Sequence, residues 1–63
     1  MLEIIVERWT GLGGGTAYLW SLWRDGQRLE TGPAQASPEH AEAEAEFYCL
    51  ARLGQAPDRT TRL

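Results

Sequence analysis

Hydrophobic and polar positions alternate along the first third of the chain. Residues 2–9, LEIIVERW, read as a strand because β-branched residues dominate and polar residues intervene. Leu2, Ile4, Val6 and Arg8 share one face of it; Glu3, Ile5, Glu7 and Trp9 share the other. Thr10–Gly15 contains four glycines and reads as a flexible connection. Residues 16–24, TAYLWSLWR, predict a second strand. Asp25-Gly26 then predicts a two-residue type I′ hairpin, since both central positions of that turn need positive φ. Residues 27–31, QRLET, return as a third strand, and Pro33 ends the sheet because it has no N–H to donate.

With that turn, Trp23 is expected opposite Arg28, Leu22 opposite Leu29, Ser21 opposite Glu30, and Trp20 opposite Thr31. One face then carries Tyr18, Trp20, Leu22, Leu29 and Thr31, and is assigned to the core with Ile4 and Val6. The other carries Leu19, Ser21, Trp23, Arg28 and Glu30.

The period changes after residue 36. Ser37-Pro38-Glu39 is a helix start, with Ser as N-cap, Pro at the first helical position and an acid in the first turn. The helix is expected to reach about Leu53 and to stop at Gly54. At roughly 100° per residue, Ala43, Phe47, Leu50 and Ala51 gather on one side, with Ala41 and Tyr48 beside them. Glu39, Glu42 and Glu46 gather on the opposite side. The expected fold is therefore α+β, a three-stranded antiparallel sheet with one helix packed on one face (ββ(β)α). Residues 1–54 form the single domain, and 55–63, which show no periodicity, are expected to be a flexible tail.

Three tryptophans in 63 residues are too many for so small a core. Trp20 belongs to the helix-covered face by parity. Trp9 and Trp23 belong with Ile5 and Leu19 to a face that the helix leaves open. This face carries arginine and aromatic side chains rimmed by charge, the composition of an interface centre. Ile5, Trp9, Leu19 and Trp23 are accordingly assigned to a homodimer face, with Trp23 stacked on Arg28 as a cation–π pair.

Charge narrows the choice of partner. The formal net charge is −3, and residues 36–53 hold Glu39, Glu42, Glu44 and Glu46 against Arg52 alone. An acidic helix repels phosphate backbones, so direct nucleic-acid binding is not expected, whereas a basic protein surface would suit it. All six basic residues are arginine, with no lysine or asparagine, a bias of GC-rich bacterial or phage coding sequences. No apolar run approaches the roughly 18–20 residues of a membrane span, and the first residues lack a signal-peptide pattern. The lone Cys49 provides no internal disulfide. A cytoplasmic location is expected, without membrane contact.

Candidate chemistry is sparse. The glycine loop neither opens a helix nor ends in Gly-Lys-Ser/Thr, so it matches no phosphate cradle. His40 and Glu44 are spaced i, i+4, but Cys49 projects from nearly the opposite side, and one His with one Cys does not make a zinc site. Cys49, late in an acidic helix beside apolar neighbours, reads as a half-buried structural thiol rather than a nucleophile. No enzyme activity, cofactor or metal is expected.

Two resemblances follow from these pieces. Gly13-Gly14-Gly15-Thr16-Ala17-Tyr18, followed by Ser37-Pro38-Glu39-His40-Ala41, resembles the HicB-type antitoxin domain over roughly residues 4–53. In size, acidity and βββα order the chain is similar to phage-encoded inhibitors of the anti-CRISPR type. Both resemblances imply a non-catalytic protein that occupies a macromolecular surface. The expectation is an acidic inhibitor or sequestering protein of phage or mobile-element type, acting on a basic, nucleic-acid-handling partner. Its contacts are assigned to Glu39, Glu42, Glu46, Trp9, Trp23 and Arg28. The alternatives are an antitoxin module and a small homo-oligomerisation domain.

Overall fold

A computed structural model describes residues 1–11 and 13–63; Leu12, in the glycine connection, lies outside the described residues. β1 (Leu2–Thr10), β2 (Thr16–Arg24) and β3 (Gln27–Thr31) are followed by α1 (Pro38–Tyr48), a π-helical turn (Cys49–Leu53) and β4 (Arg59–Arg62). The sheet order is β3-β2-β1-β4. β1 and β2 pair antiparallel along their whole length, from Leu2 opposite Arg24 to Thr10 opposite Thr16. Asp25 and Gly26 have φ of 51° and 82°, the positive values the hairpin turn requires.

The fold is α+β with one helix on one face, but the sheet has four strands and is mixed. Arg59–Arg62, expected to trail the domain as a tail, runs parallel to β1 as its fourth strand, with Glu3 opposite Arg59 and Val6 opposite Arg62. This strand is held by polar groups. Asp58 accepts from the Leu2 N–H through Oδ2 at 2.7 Å and donates its own N–H to the Leu2 carbonyl at 2.8 Å. Arg59 and Thr61 both donate to Glu3, and Arg62 donates to Glu42 of the helix.

A second difference lies in the hairpin. A bulge between Leu22 and Trp23 shifts the register, so Leu22 faces Glu30 and Ser21 faces Thr31, while Trp23 still faces Arg28. Leu29 is the extra residue and is exposed, not part of the core. The bulge instead brings Glu30 to the helix side, where the Tyr48 hydroxyl donates to it at 3.1 Å. A partly buried hydroxyl is thereby satisfied.

The core consists of Leu2, Ile4, Val6, Trp20 and Leu22 from the sheet, against Ala41, Ala45 and Cys49 from the helix. Ser37 caps α1 as expected, accepting from the His40 N–H at 3.2 Å, and Gly54 ends the helical segment at φ 70°. The roll of the helix is not as expected. Ala41, Ala45 and Cys49 form the buried stripe, so α1 is turned by about half a revolution from the Ala43–Phe47–Leu50 orientation. Phe47 and Leu50 are exposed.

Two contacts account for the roll. The stripe of small residues lets the helix lie close over large sheet side chains. The same roll brings Glu44 to the Trp20 indole, whose Nε1 donates to it at 3.1 Å, while Gln35 Nε2 donates to the other carboxylate oxygen at 2.7 Å. Burying Trp20 without that acceptor would leave an indole N–H unpaired. Gly32 closes the other side of the indole: a Cβ there would lie 1.9 Å from Nε1.

Candidate functional site

The residues assigned to binding divide into three separate surfaces. The first is the sheet face opposite the helix, where Ile5, Leu19 and Trp23 are half-buried and, among the described residues, no element packs over them. Parity and ladder pairing put them on one face, as expected: Glu3 is opposite Trp23, Ile5 opposite Ser21, and Trp9 opposite Ala17. Trp23 folds down along its own strand and donates from Nε1 to Ser21 Oγ at 2.8 Å, covering that buried serine. Arg28 is its ladder partner and is exposed, but the cation–π contact found among the described residues is Arg52 over the Tyr48 ring, at 5.6 Å.

Trp9 is on the same face yet does not join Trp23 in one patch. Trp23 pairs with Glu3, six positions before Trp9 on β1, which separates the two backbone positions by about 20 Å along the sheet. Trp9 stands at the far end of the sheet, 56% exposed. It forms the second surface, together with the part of β1 that β4 does not reach.

The third surface is the outer side of α1. Glu39 and Glu46 are exposed, as an acidic stripe requires, but Glu42 is drawn toward the sheet by Arg62, whose guanidinium donates to its carboxylate. That hydrogen bond also holds the Arg62 guanidinium more firmly protonated than an unpaired one. The same guanidinium lies 4.0 Å from Glu39. Beside the two exposed acids lie Phe47 and Leu50, which the half-turn roll leaves in water. The acidic stripe and the open sheet face lie on opposite sides of the sheet, so one contact does not include both.

A cleft of about 400 Å³ opens between α1 and the end of β3, with Trp20, Phe47, Tyr48, Glu30, Glu44 and Arg52 among its walls. Burial, followed by the hydrogen bond to Glu30, raises the Tyr48 hydroxyl above its ordinary value. Cys49 is fully buried, deeper than the half-buried position expected. Burial first, and the nearby Glu46 second, raise its thiol, which keeps it in the poorly nucleophilic form. Glu44, spaced i, i+4 from His40, turns to Trp20 and Gln35. Among the described residues, no three His, Cys, Asp or Glu side chains converge as metal ligands, and no helix is long and apolar enough to cross a membrane.

Sequence reasoning missed Phe47 and Leu50 as surface residues, and it missed the cleft. The i, i+4 spacing of Tyr48 and Arg52 was a usable signal for part of it. Comparison with protein-family models, with curated proteins and with solved structures returns no match for this chain.

Proposed function

We propose that the chain is a non-catalytic binding protein that uses the outer side of α1 to occupy a basic surface on a protein partner. One observation carries this reading. Phe47 is 73% exposed and Leu50 is 58% exposed, and they border the exposed carboxylates Glu39 and Glu46. An aromatic and an aliphatic anchor in water are costly unless something covers them, and flanking acids select a cationic partner while repelling nucleic acid. The partner class is a protein that itself handles nucleic acid, because its basic surface is the natural complement of this one. Occupying that surface inhibits or sequesters the partner sterically, in the manner of phage or mobile-element antagonists. Trp23 and Arg28 take no part in this contact.

Photo-crosslinking in the cell of origin, from a photoreactive side chain at position 43, tests the reading. A discrete adduct with a basic protein is expected, and it should disappear on combined Glu39→Lys and Glu46→Lys substitution or on Phe47→Ser. An adduct that survives charge reversal, or no adduct at all, overturns it.

A further inference from the structure

Glu44, Phe47, Tyr48, Ala51 and Arg52 follow one another at three- and four-residue spacing, so α1 and the π-helical turn present them along one stripe. That stripe forms one wall of the cleft of about 400 Å³, and Glu30, with Gly32 and Pro33 just beyond β3, forms the other. Its volume falls in the range of small-ligand pockets, roughly 300–1,000 Å³.

The charges in this cleft do not balance. Two carboxylates, Glu30 and Glu44, face one guanidinium, that of Arg52. Both carboxylates are half-buried, and among the described residues neither forms an ion pair. Their hydrogen bonds come from neutral donors. Glu30 accepts from the Thr31 N–H at 3.0 Å and from the Tyr48 hydroxyl at 3.1 Å, while Glu44 accepts from the Trp20 indole and the Gln35 amide. One donor on each oxygen leaves a further lone pair there, and the four bonds hold both groups in position before any ligand arrives.

The aromatic lining matches that charge. The Trp20 and Tyr48 rings pack with centroids 5.5 Å apart, and each is tied to one of the carboxylates by its own hydrogen bond. The Arg52 guanidinium lies 5.6 Å from the Tyr48 ring centroid, so this ring already receives a planar cation. Phe47 adds an aromatic surface that is 73% exposed. Arg52 and Ala51 belong to the π-helical turn, a departure from α geometry that is frequent at functional sites.

We propose that this cleft receives an arginine side chain of the basic protein partner. A guanidinium is planar and weakly hydrated, stacks on aromatic rings, and donates several hydrogen bonds at once to carboxylates. A lysine ammonium is a compact, strongly hydrated charge that makes poorer use of the rings. The excess of negative charge disfavours an anion. The inference rests on the basic-partner reading for the source of the arginine, and it gives that contact an anchor, since Phe47 belongs both to the outer side of α1 and to the cleft. Arg52 is then a competitor, because it occupies the Tyr48 ring and repels an incoming cation.

The test titrates the full chain with blocked arginine (N-acetyl-arginine methylamide) and follows the tryptophan indole N–H signals by nuclear magnetic resonance. The Trp20 signal should shift with a Kd of about 1 mM, while those of Trp9 and Trp23 stay in place. Blocked citrulline, which keeps the shape and loses the charge, should bind about tenfold more weakly, and blocked lysine about threefold more weakly. Glu30→Gln removes one charge but keeps an acceptor for Tyr48, and should weaken arginine binding about fivefold. Arg52→Gln frees the ring and should strengthen it about threefold. No Trp20 shift at about 20 mM arginine overturns the inference. So does citrulline binding as tightly as arginine, or an Arg52→Gln variant that binds less, which would mark an anion site. The probe needs no partner, and Glu30→Gln leaves Glu39, Glu46 and Phe47 intact. A crosslinked adduct without a Trp20 shift therefore sinks the cleft and leaves the partner contact standing; a Trp20 shift without an adduct does the reverse.

Discussion

The two faces of the sheet begin from similar material and end differently. Each carries at least one tryptophan and several aliphatic side chains, yet one is sealed under α1 and the other has no layer over it. On the sealed face, Leu2, Ile4, Val6, Trp20 and Leu22 are buried. On the open face, Ile5, Leu19 and Trp23 are half-buried by their own neighbours. The helix does not simply choose the more apolar side. It packs where a large indole can give its N–H to Glu44 and where small residues permit close approach. The open face solves the same problem within one strand, by laying Trp23 over Ser21. Packing and hydrogen-bond satisfaction together decide which face is core.

The strongest way to break this comparison is to cut equivalent side chains from the two faces. Leu22→Ala, at a fully buried site, should destabilise the fold by about 2–5 kcal/mol in urea denaturation, enough to threaten folding of so small a domain. Next in size is Gly32→Val, which drives a side chain into the Trp20 indole and should cost about 1–3 kcal/mol by the same measurement. Trp23→Ala removes a larger side chain than Leu22→Ala but should cost less, about 1–2 kcal/mol, because its ring was only half withdrawn from water. If the Trp23 variant proved as damaging as the Leu22 variant, the distinction between the faces would collapse.

The smallest effect concerns the β4 side of the sheet. The hydrogen bond from Arg59, followed by that from Thr61, holds the Glu3 carboxyl below its ordinary value of 4.5. A carboxyl lowered in the folded state binds fewer protons there than in the unfolded chain. Its contribution is therefore complete above pH 4.5 and is lost as pH falls through the lower folded value. Asp25, lowered by its hydrogen bond to the N-terminal ammonium, acts in the same direction. Glu3→Gln should flatten the fall of stability below about pH 4.5 in acid titrations followed by circular dichroism. An unchanged slope would mean that the Arg59–Glu3 contact contributes nothing to holding β4.

Local signals located most of the elements. β-branched alternation marked β1, Asp25-Gly26 marked the hairpin, Ser37-Pro38 opened the helix, and Gly54 ended its helical segment. Parity alone separated Trp20 from Trp9 and Trp23. What was not legible depends on groups far apart in sequence. β4 is Arg-Thr-Thr-Arg, with no apolar position to betray it, and its partners Glu3 and Glu42 lie 56 and 20 residues away. The bulge that exposes Leu29 places Glu30 within reach of Tyr48 on the other side of the domain. The roll of α1 could not be read from its own residues, because Ala43, Phe47 and Leu50 form the more apolar stripe. It depends on the shape and the hydrogen-bond demand of the sheet beneath. For the same reason, Phe47 and Leu50, which border Glu39 and Glu46 on the outer side of the helix, were assigned to the core, and Glu42 was assigned to the solvent stripe although Arg62 draws it toward the sheet.

Cys49 offers a direct view of that packing. Its thiol sits at the junction of α1 and the π-helical turn, sealed against the sheet, and its protonated state is favoured by burial. An alkylating reagent reaches it only when the helix lifts away, so the rate of thiol labelling measures how often the two layers separate. The single cysteine is thus an internal clock for opening of the domain, readable in the unlabelled wild-type chain.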